Sequence, residues 1–232
     1  MRIRQFRYAA DNLAYLIYGE NAALAVDPGA VEDMLTFLEK SGLTLQAVVN
    51  THSHPDHTTG NKSILEQTKA VFMDTEILLK EPFLELEGDR IAVYHTPGHT
   101  QDSVIFQVDR SLVTGDTLFT GKAGRCFTGD LARFLKSIKR IMAFPSRTVI
   151  YGGHDYVLEY MDTAKAIEPN NTAIDDFLET YTPDHVCSTL ADEYRINPTL
   201  RFNTDSLIHV LKERGLATAT EYERWQSVMS IV

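Results

Sequence analysis

Up to about residue 154, apolar positions fall in short runs rich in β-branched and aliphatic side chains, each stopped by Gly, Asp, Asn or Pro. Such runs at residues 14–18, 23–26, 47–50, 91–94, 104–108, 111–114 and 148–151 predict strands. A different period appears at residues 32–41, 61–67 and 130–144, where apolar side chains return every three or four positions and predict helices. Leu131, Phe134, Leu135, Ile138, Ile141 and Met142 trace the buried face of the third. Strands outnumber helices, and helices fall between groups of strands. The pattern therefore predicts an α+β fold with two packed sheets and helices outside them.

After His154 the β-type runs stop and helical periodicity takes over at residues 155–167, 171–180, 188–194, 204–214 and 218–229. Glu168-Pro169, Thr182-Pro183, Asn197-Pro198 and Gly215 punctuate these helices. The expected organisation is a first domain over residues 1–166 and a small all-α domain over residues 167–232.

The 232 residues, 44% hydrophobic and 23% charged, suffice for a sizeable core. A net charge of -10 repels nucleic-acid phosphates and anionic membranes, which points away from both partners and toward a small molecule. Composition says nothing about oligomeric state. Cys126 and Cys187 do not form a disulfide framework, the first thirty residues lack the continuous apolar stretch of a signal peptide, and no run is fit to span a bilayer. A cytoplasmic setting is expected.

The chemistry concentrates in Thr51-His52-Ser53-His54-Pro55-Asp56-His57, directly after a predicted buried strand. Imidazole and carboxylate suit zinc, iron or manganese, and four donors in six residues are too many for one tetrahedral ion. Three further donors follow apolar runs through a glycine that lets the backbone turn sharply: His99 in Thr96-Pro97-Gly98-His99, Asp116 in Thr114-Gly115-Asp116, and His154 in Gly152-Gly153-His154. The expected division is His52, His54 and His99 on one ion, Asp56, His57 and His154 on a second, and Asp116 shared. His95, His185 and His209 lack such company and are expected to be structural.

The run His52-Ser53-His54-Pro55-Asp56-His57 resembles the signature of the metallo-β-lactamase superfamily, which implies an αββα sandwich with metals at one edge of the sheets. The resemblance is closer to one family within it. His95-Thr96-Pro97-Gly98-His99-Thr100, Thr114-Gly115-Asp116-Thr117-Leu118-Phe119, Gly153-His154-Asp155-Tyr156, Glu168-Pro169-Asn170-Asn171 and Ser188-Thr189-Leu190-Ala191-Asp192-Glu193 with Asn197-Pro198 are similar to glyoxalase II, the hydroxyacylglutathione hydrolases. The similarity runs from about residue 13 to about residue 225.

It implies a hydrolase with two divalent ions that cleaves S-lactoylglutathione or a related 2-hydroxyacyl thioester in methylglyoxal detoxification, with Asp56 and Asp116 catalytic. Two such ions supply an acidified water and polarise the carbonyl. The family's thiol contacts fall at Arg125, Phe127 and Tyr156, where Phe127 lacks the usual hydroxyl. Its C-terminal basic pair falls at Ala219 and Tyr222, neither basic, and the nearest replacements in sequence are Arg214 and Arg224. The alternatives within the superfamily are a mononuclear-iron persulfide dioxygenase, which gives Asp56, His57 and His154 no duty, and a phosphodiesterase, which the acidic charge disfavours.

Overall fold

A computed structural model describes all 232 residues. In chain order its strands are β1 (Arg2–Tyr8), β2 (Asn12–Tyr18), β3 (Ala22–Val26), β4 (Thr44–Val49), β5 (Val71–Phe72), β6 (Phe83–Leu86), β7 (Asp89–His95), β8 (Val104–Val108), β9 (Ser111–Gly115), β10 (Leu118–Phe119), β11 (Lys122–Ala123), β12 (Val149–Gly152) and β13 (Ser188–Thr189). The helices are α1 (Val31–Ser41), α2 (Pro55–Thr58), α3 (Asn61–Gln67), α4 (Thr75–Lys80), α5 (Leu131–Met142), α6 (Val157–Ile167), α7 (Thr172–Thr180), α8 (Leu190–Ile196), α9 (Pro198–Arg201), α10 (Asp205–Glu213) and α11 (Glu221–Met229).

One sheet has the order β1-β2-β3-β4-β5 and the other β13-β12-β9-β8-β7-β6, with β10 and β11 forming a separate hairpin. Side chains alternate between faces along each strand, and this alternation sorts the interior into layers. Leu13, Tyr15 and Ile17 of β2 meet Val104, Phe106 and Val108 of β8 between the sheets. Ala14 and Leu16 point the other way, onto Met34 and Leu38 of α1 and Ile64 of α3. Ile105, Leu112 and Ile150 likewise face outward from the second sheet, onto Phe134, Ile138 and Ile141 of α5 and Trp225 of α11. The result is the expected sandwich of two sheets between helical layers.

Several elements depart from the sequence reading. β1 was not anticipated, because its sequence RIRQFRY carries three arginines; it is an edge strand whose charged positions stay in water, and this hides the alternation. The short elements β5, α4 and β6 contain exposed Val71, Phe72, Ile77, Leu79 and Phe83, so they lack the half-buried pattern that marks an element. The segment from Ser188 was expected to begin a helix, but Ser188 and Thr189 pair with Ile150 and Val149 as β13 and the helix starts at Leu190. Strand pairing thus continues past His154. That pairing depends on a distant partner strand, which no local pattern reveals.

Candidate metal centre

The centre lies at one end of the sandwich, on the loops that follow β3, β4, β7, β9 and β12 and the turn between β1 and β2. The loop after β4 is held on itself. Asn50 Nδ2 donates to His57 O at 2.8 Å, and Thr51 donates from its backbone N at 2.8 Å and from Oγ1 at 2.7 Å to the carboxylate of Asp27. Pro55 opens the single turn α2, with His54 at its N-cap, and this turn brings Asp56 and His57 back toward His52.

Glycine is required where backbones crowd the donors. Gly115 sits at φ 48°, where any side chain would also strike Thr51, and a Cβ on Gly153 would lie 2.3 Å from Asp116 Oδ1. Leu13 N donates to Gly153 O and Asp155 N to Asp11 O, both at 2.8 Å, which docks the β1–β2 turn beside His154.

All seven predicted donors converge, in two groups. In the first, His54 Nδ1 lies 2.9 Å from His52 Nε2 and 3.0 Å from His99 Nε2, and Asp116 Oδ2 lies 3.4 Å from His99 Nε2. In the second, His57 Nε2 is 3.2 Å from His154 Nε2, and Asp56 Oδ2 is 3.5 and 3.3 Å from these two nitrogens. Asp116 faces the second group too, with Oδ1 3.2 Å from His57 Nε2. His95 stands outside, its Nε2 facing Gln101 O at 2.7 Å.

Four of the five imidazoles are held from behind through their other ring nitrogen, which fixes their orientation. His52 Nδ1 lies 3.1 Å from Thr51 Oγ1 and His99 Nδ1 lies 3.0 Å from Arg125 O. His57 Nδ1 meets Asp27 Oδ2 at 3.0 Å and His154 Nδ1 meets Asp11 Oδ1 at 2.8 Å. Asn12 Nδ2 donates to Asp56 Oδ2 at 3.1 Å. Asp11, Asn12 and Asp27 were missed in the sequence, where they read as ordinary turn residues after or between strands.

Positive charge fits this arrangement. Asp116 Oδ1 is buried and receives no aligned hydrogen bond, an orphaned acceptor that a cation would satisfy. Burial would lower the pKa of His57, but the charge of Asp27 and the adjacent Asp116 outweigh it and raise the group to about 11. His52, by contrast, is pushed down to about 2 by burial and by the neighbouring His57 charge. Burial would raise Asp116, yet His57 holds it well below the usual carboxylate range. Five imidazoles and two carboxylates together form a donor set suited to divalent zinc, iron or manganese.

The sequence matches the profile of the metallo-beta-lactamase superfamily over residues 8–73 and 76–154. The chain belongs to this superfamily. Within it, the chain is 32% identical to the hydroxyacylglutathione hydrolase of Chromohalobacter salexigens, with 88% of each chain covered. It is 34% identical to that of Albidiferax ferrireducens, covering 82% of this chain and 83% of the relative, which places it in the hydroxyacylglutathione hydrolase family. Among solved structures, ETHE1 from Myxococcus xanthus superposes with a TM-score of 0.67 at 23% identity, covering 98% of this chain and all of that one (100%). The BLEG-1 B3 metallo-beta-lactamase gives 0.66 at 23% identity, covering 86% and 99%. Both show the fold.

The three residues expected to contact the thiol, Arg125, Phe127 and Tyr156, all stand beside the donors. Tyr156 stacks on His154 at 4.8 Å with 6° between the rings. Phe127, 58% exposed, lies edge-on to His54 and His99 at 5.5 and 5.2 Å, and Arg125 packs 5.0 Å from its ring centre. The two arginines nearest in sequence to the absent C-terminal basic pair are engaged elsewhere. Arg214 donates to Ala166 O at 3.2 Å, and Arg224 to Asn203 Oδ1 at 2.8 Å and Thr218 O at 3.0 Å, so both close contacts inside the helical region instead. No helix of the chain is long and apolar enough to cross a membrane.

Proposed function

We propose that this protein is a dinuclear metal-dependent thioester hydrolase that cleaves S-lactoylglutathione or a closely related 2-hydroxyacyl thioester into a thiol and a 2-hydroxy acid. The observation that carries this reading is the pairing of two donor groups through one shared carboxylate, Asp116, in a chain of the hydroxyacylglutathione hydrolase family. His52, His54, His99 and Asp116 would hold one ion, and Asp56, His57, His154 and Asp116 the other. When bound, two divalent ions acidify a water and polarise the carbonyl oxygen under attack. Zinc and iron lead on donor chemistry, with manganese also compatible.

The chain's own residues do the rest. Asp116 stands between the two groups, with Oδ1 toward His57 and Oδ2 toward His99, and would be shared by both ions. Asp56, whose side chain remains 47% exposed, holds the proton that the attacking water gives up. Tyr156 and Phe127 line the approach and orient the carrier next to His154, His54 and His99. A thiol leaving group has a pKa of about 8.5 and departs as the thiolate without a general acid. The segment from residue 167 to residue 232 acts as the substrate-binding domain, with α11 facing the β10–β11 hairpin across a cavity. A mononuclear oxygenase would leave Asp56, His57 and His154 unused, although all three converge.

Elemental analysis of protein purified without chelator, paired with an assay of S-lactoylglutathione hydrolysis, tests this reading. Two ions per chain and thiol release are expected. Fewer than about one and a half ions in active protein rules out a mechanism that requires both.

A further inference from the structure

A cavity of about 560 Å³ lies between the β10–β11 hairpin and α11, and its lining includes Gly124, next to Asp116 and His99. Two runs of side chains link the donors to Arg125 and Lys122, the two cations that line it. One passes from His54 and His99 to Phe127 and then to the guanidinium of Arg125. The other passes from His154 to Tyr156, across 5.4 Å to Tyr160, and ends at Lys122, whose Nζ lies 4.9 Å from the Tyr160 ring centre.

Lys122 is half-buried, and neither its ammonium nor the Arg125 guanidinium makes a hydrogen bond or an ion pair within the protein. The opposite wall offers Gln226, Ser230 and Val232, and no Asp or Glu side chain lines the cavity. In a chain of net charge -10, this is a local positive site with unused donors. Burial lowers the pKa of Lys122 against the opposing pull of the Glu159 charge, which marks an ammonium partly withdrawn from water.

We infer that Lys122 is a specificity-determining residue: its ammonium binds a carboxylate of the thiol carrier, doing from the β10–β11 hairpin what Ala219 and Tyr222 cannot do from the C-terminal helix. The inference rests on the thioester reading above and deepens it. The carrier lies between the two aromatic walls with its thioester at the metal centre and its acidic end at Lys122. Arg125 faces the same cavity from the other wall. An acidic carrier is favoured over an uncharged one because two donors of the site remain unsatisfied without it.

The test uses the metal-loaded protein and two substrates with the same lactoyl group: S-lactoylglutathione and the lactoyl thioester of the uncharged N-acetylcysteamine. Lys122→Met is expected to raise KM for the glutathione ester about tenfold to a hundredfold, the range for a lost charge-assisted hydrogen bond, with kcat nearly unchanged. KM for the uncharged ester stays constant, and Lys122→Arg recovers most of the loss. Calorimetric binding of S-methylglutathione to the same three proteins gives a readout independent of turnover, and it should weaken in Lys122→Met alone. Equal effects on both esters, or none on either, overturn the inference. If wild-type protein cleaves neither ester, the thioester reading fails, and calorimetry then decides the role of Lys122 alone: unchanged affinity in Lys122→Met overturns it.

Discussion

The two donor groups meet at Asp116 but are supported differently. In the first, His52 and His99 are backed by neutral oxygens, the Thr51 hydroxyl and the Arg125 carbonyl. In the second, His57 and His154 are backed by the carboxylates of Asp27 and Asp11. A carboxylate behind an imidazole raises its basicity and adds negative charge near the ion, whereas a neutral acceptor mainly fixes the ring. The second group therefore draws its hold on a cation from charge, and the first from geometry. Asp27 spans this division, because its Oδ2 also accepts from the Thr51 hydroxyl that backs His52.

Asp116→Ala has the largest expected effect, since it removes a donor from both groups. Hydrolysis should fall by about a hundredfold to a thousandfold, in the range seen when one preorganised charge-stabilising group is lost. Metal analysis should show loss from both positions, and near-normal activity and content would show that Asp116 is not shared. Asp27→Ala comes next. It should weaken metal affinity about tenfold to a hundredfold, measured by chelator competition, and should affect both ions because Thr51 loses its anchor along with His57. A loss confined to one ion would separate the groups more sharply than the geometry does.

A paired comparison isolates the contrast itself. Asp11→Ala should release chiefly one ion, with an affinity loss of about tenfold, while Thr51→Val should produce a smaller loss at the other. If the two variants lose the same ion, or lose it equally, charged and neutral backing do not differ in the way proposed.

The last prediction extends the contrast to a buried carboxylate with no cation beside it. Glu193 is fully buried and accepts from Gly121 N, Ser188 Oγ and Asn197 Nδ2, all neutral donors. Burial raises it from 4.5 to about 7. The folded state therefore binds a proton more tightly than the unfolded one. Its contribution to stability is fully present below pH 4.5 and is lost as pH rises toward 7. Relative to Glu193→Gln, which does not titrate, the wild-type protein should lose of the order of 3 kcal/mol between these limits, as followed by denaturant unfolding at several pH values. A constant difference between the two proteins would show that Glu193 stays ionised throughout.

Glu193 also shows where sequence legibility stops. Its segment was visible as part of the family resemblance, but nothing local says that its carboxylate receives Gly121 N, or that Thr199 Oγ1 accepts from Ala123 N at 2.8 Å. These contacts tie the C-terminal helices to the hairpin that carries Lys122. Whether Arg214 or Arg224 could replace the missing basic pair was open in the sequence for a similar reason. Helical periodicity gives the face of an arginine but not whether its donors are already occupied by a carbonyl across the packing interface.

By itself, the sequence determined the kinds of element and the donor set. Strand and helix periods follow from local burial, so β2, β8 and α5 were readable from their own residues. The run from His52 to His57, with the glycine-preceded His99, Asp116 and His154, was readable because metal chemistry restricts which side chains serve and strand ends restrict where they sit. Tertiary structure alone decided which groups stand behind the donors and which cations line the cavity beside the hairpin. Asp11, Asp27, Asn12 and Lys122 are ordinary residues in sequence, and they acquire their positions only when strands distant along the chain are paired and the helical region closes over the hairpin.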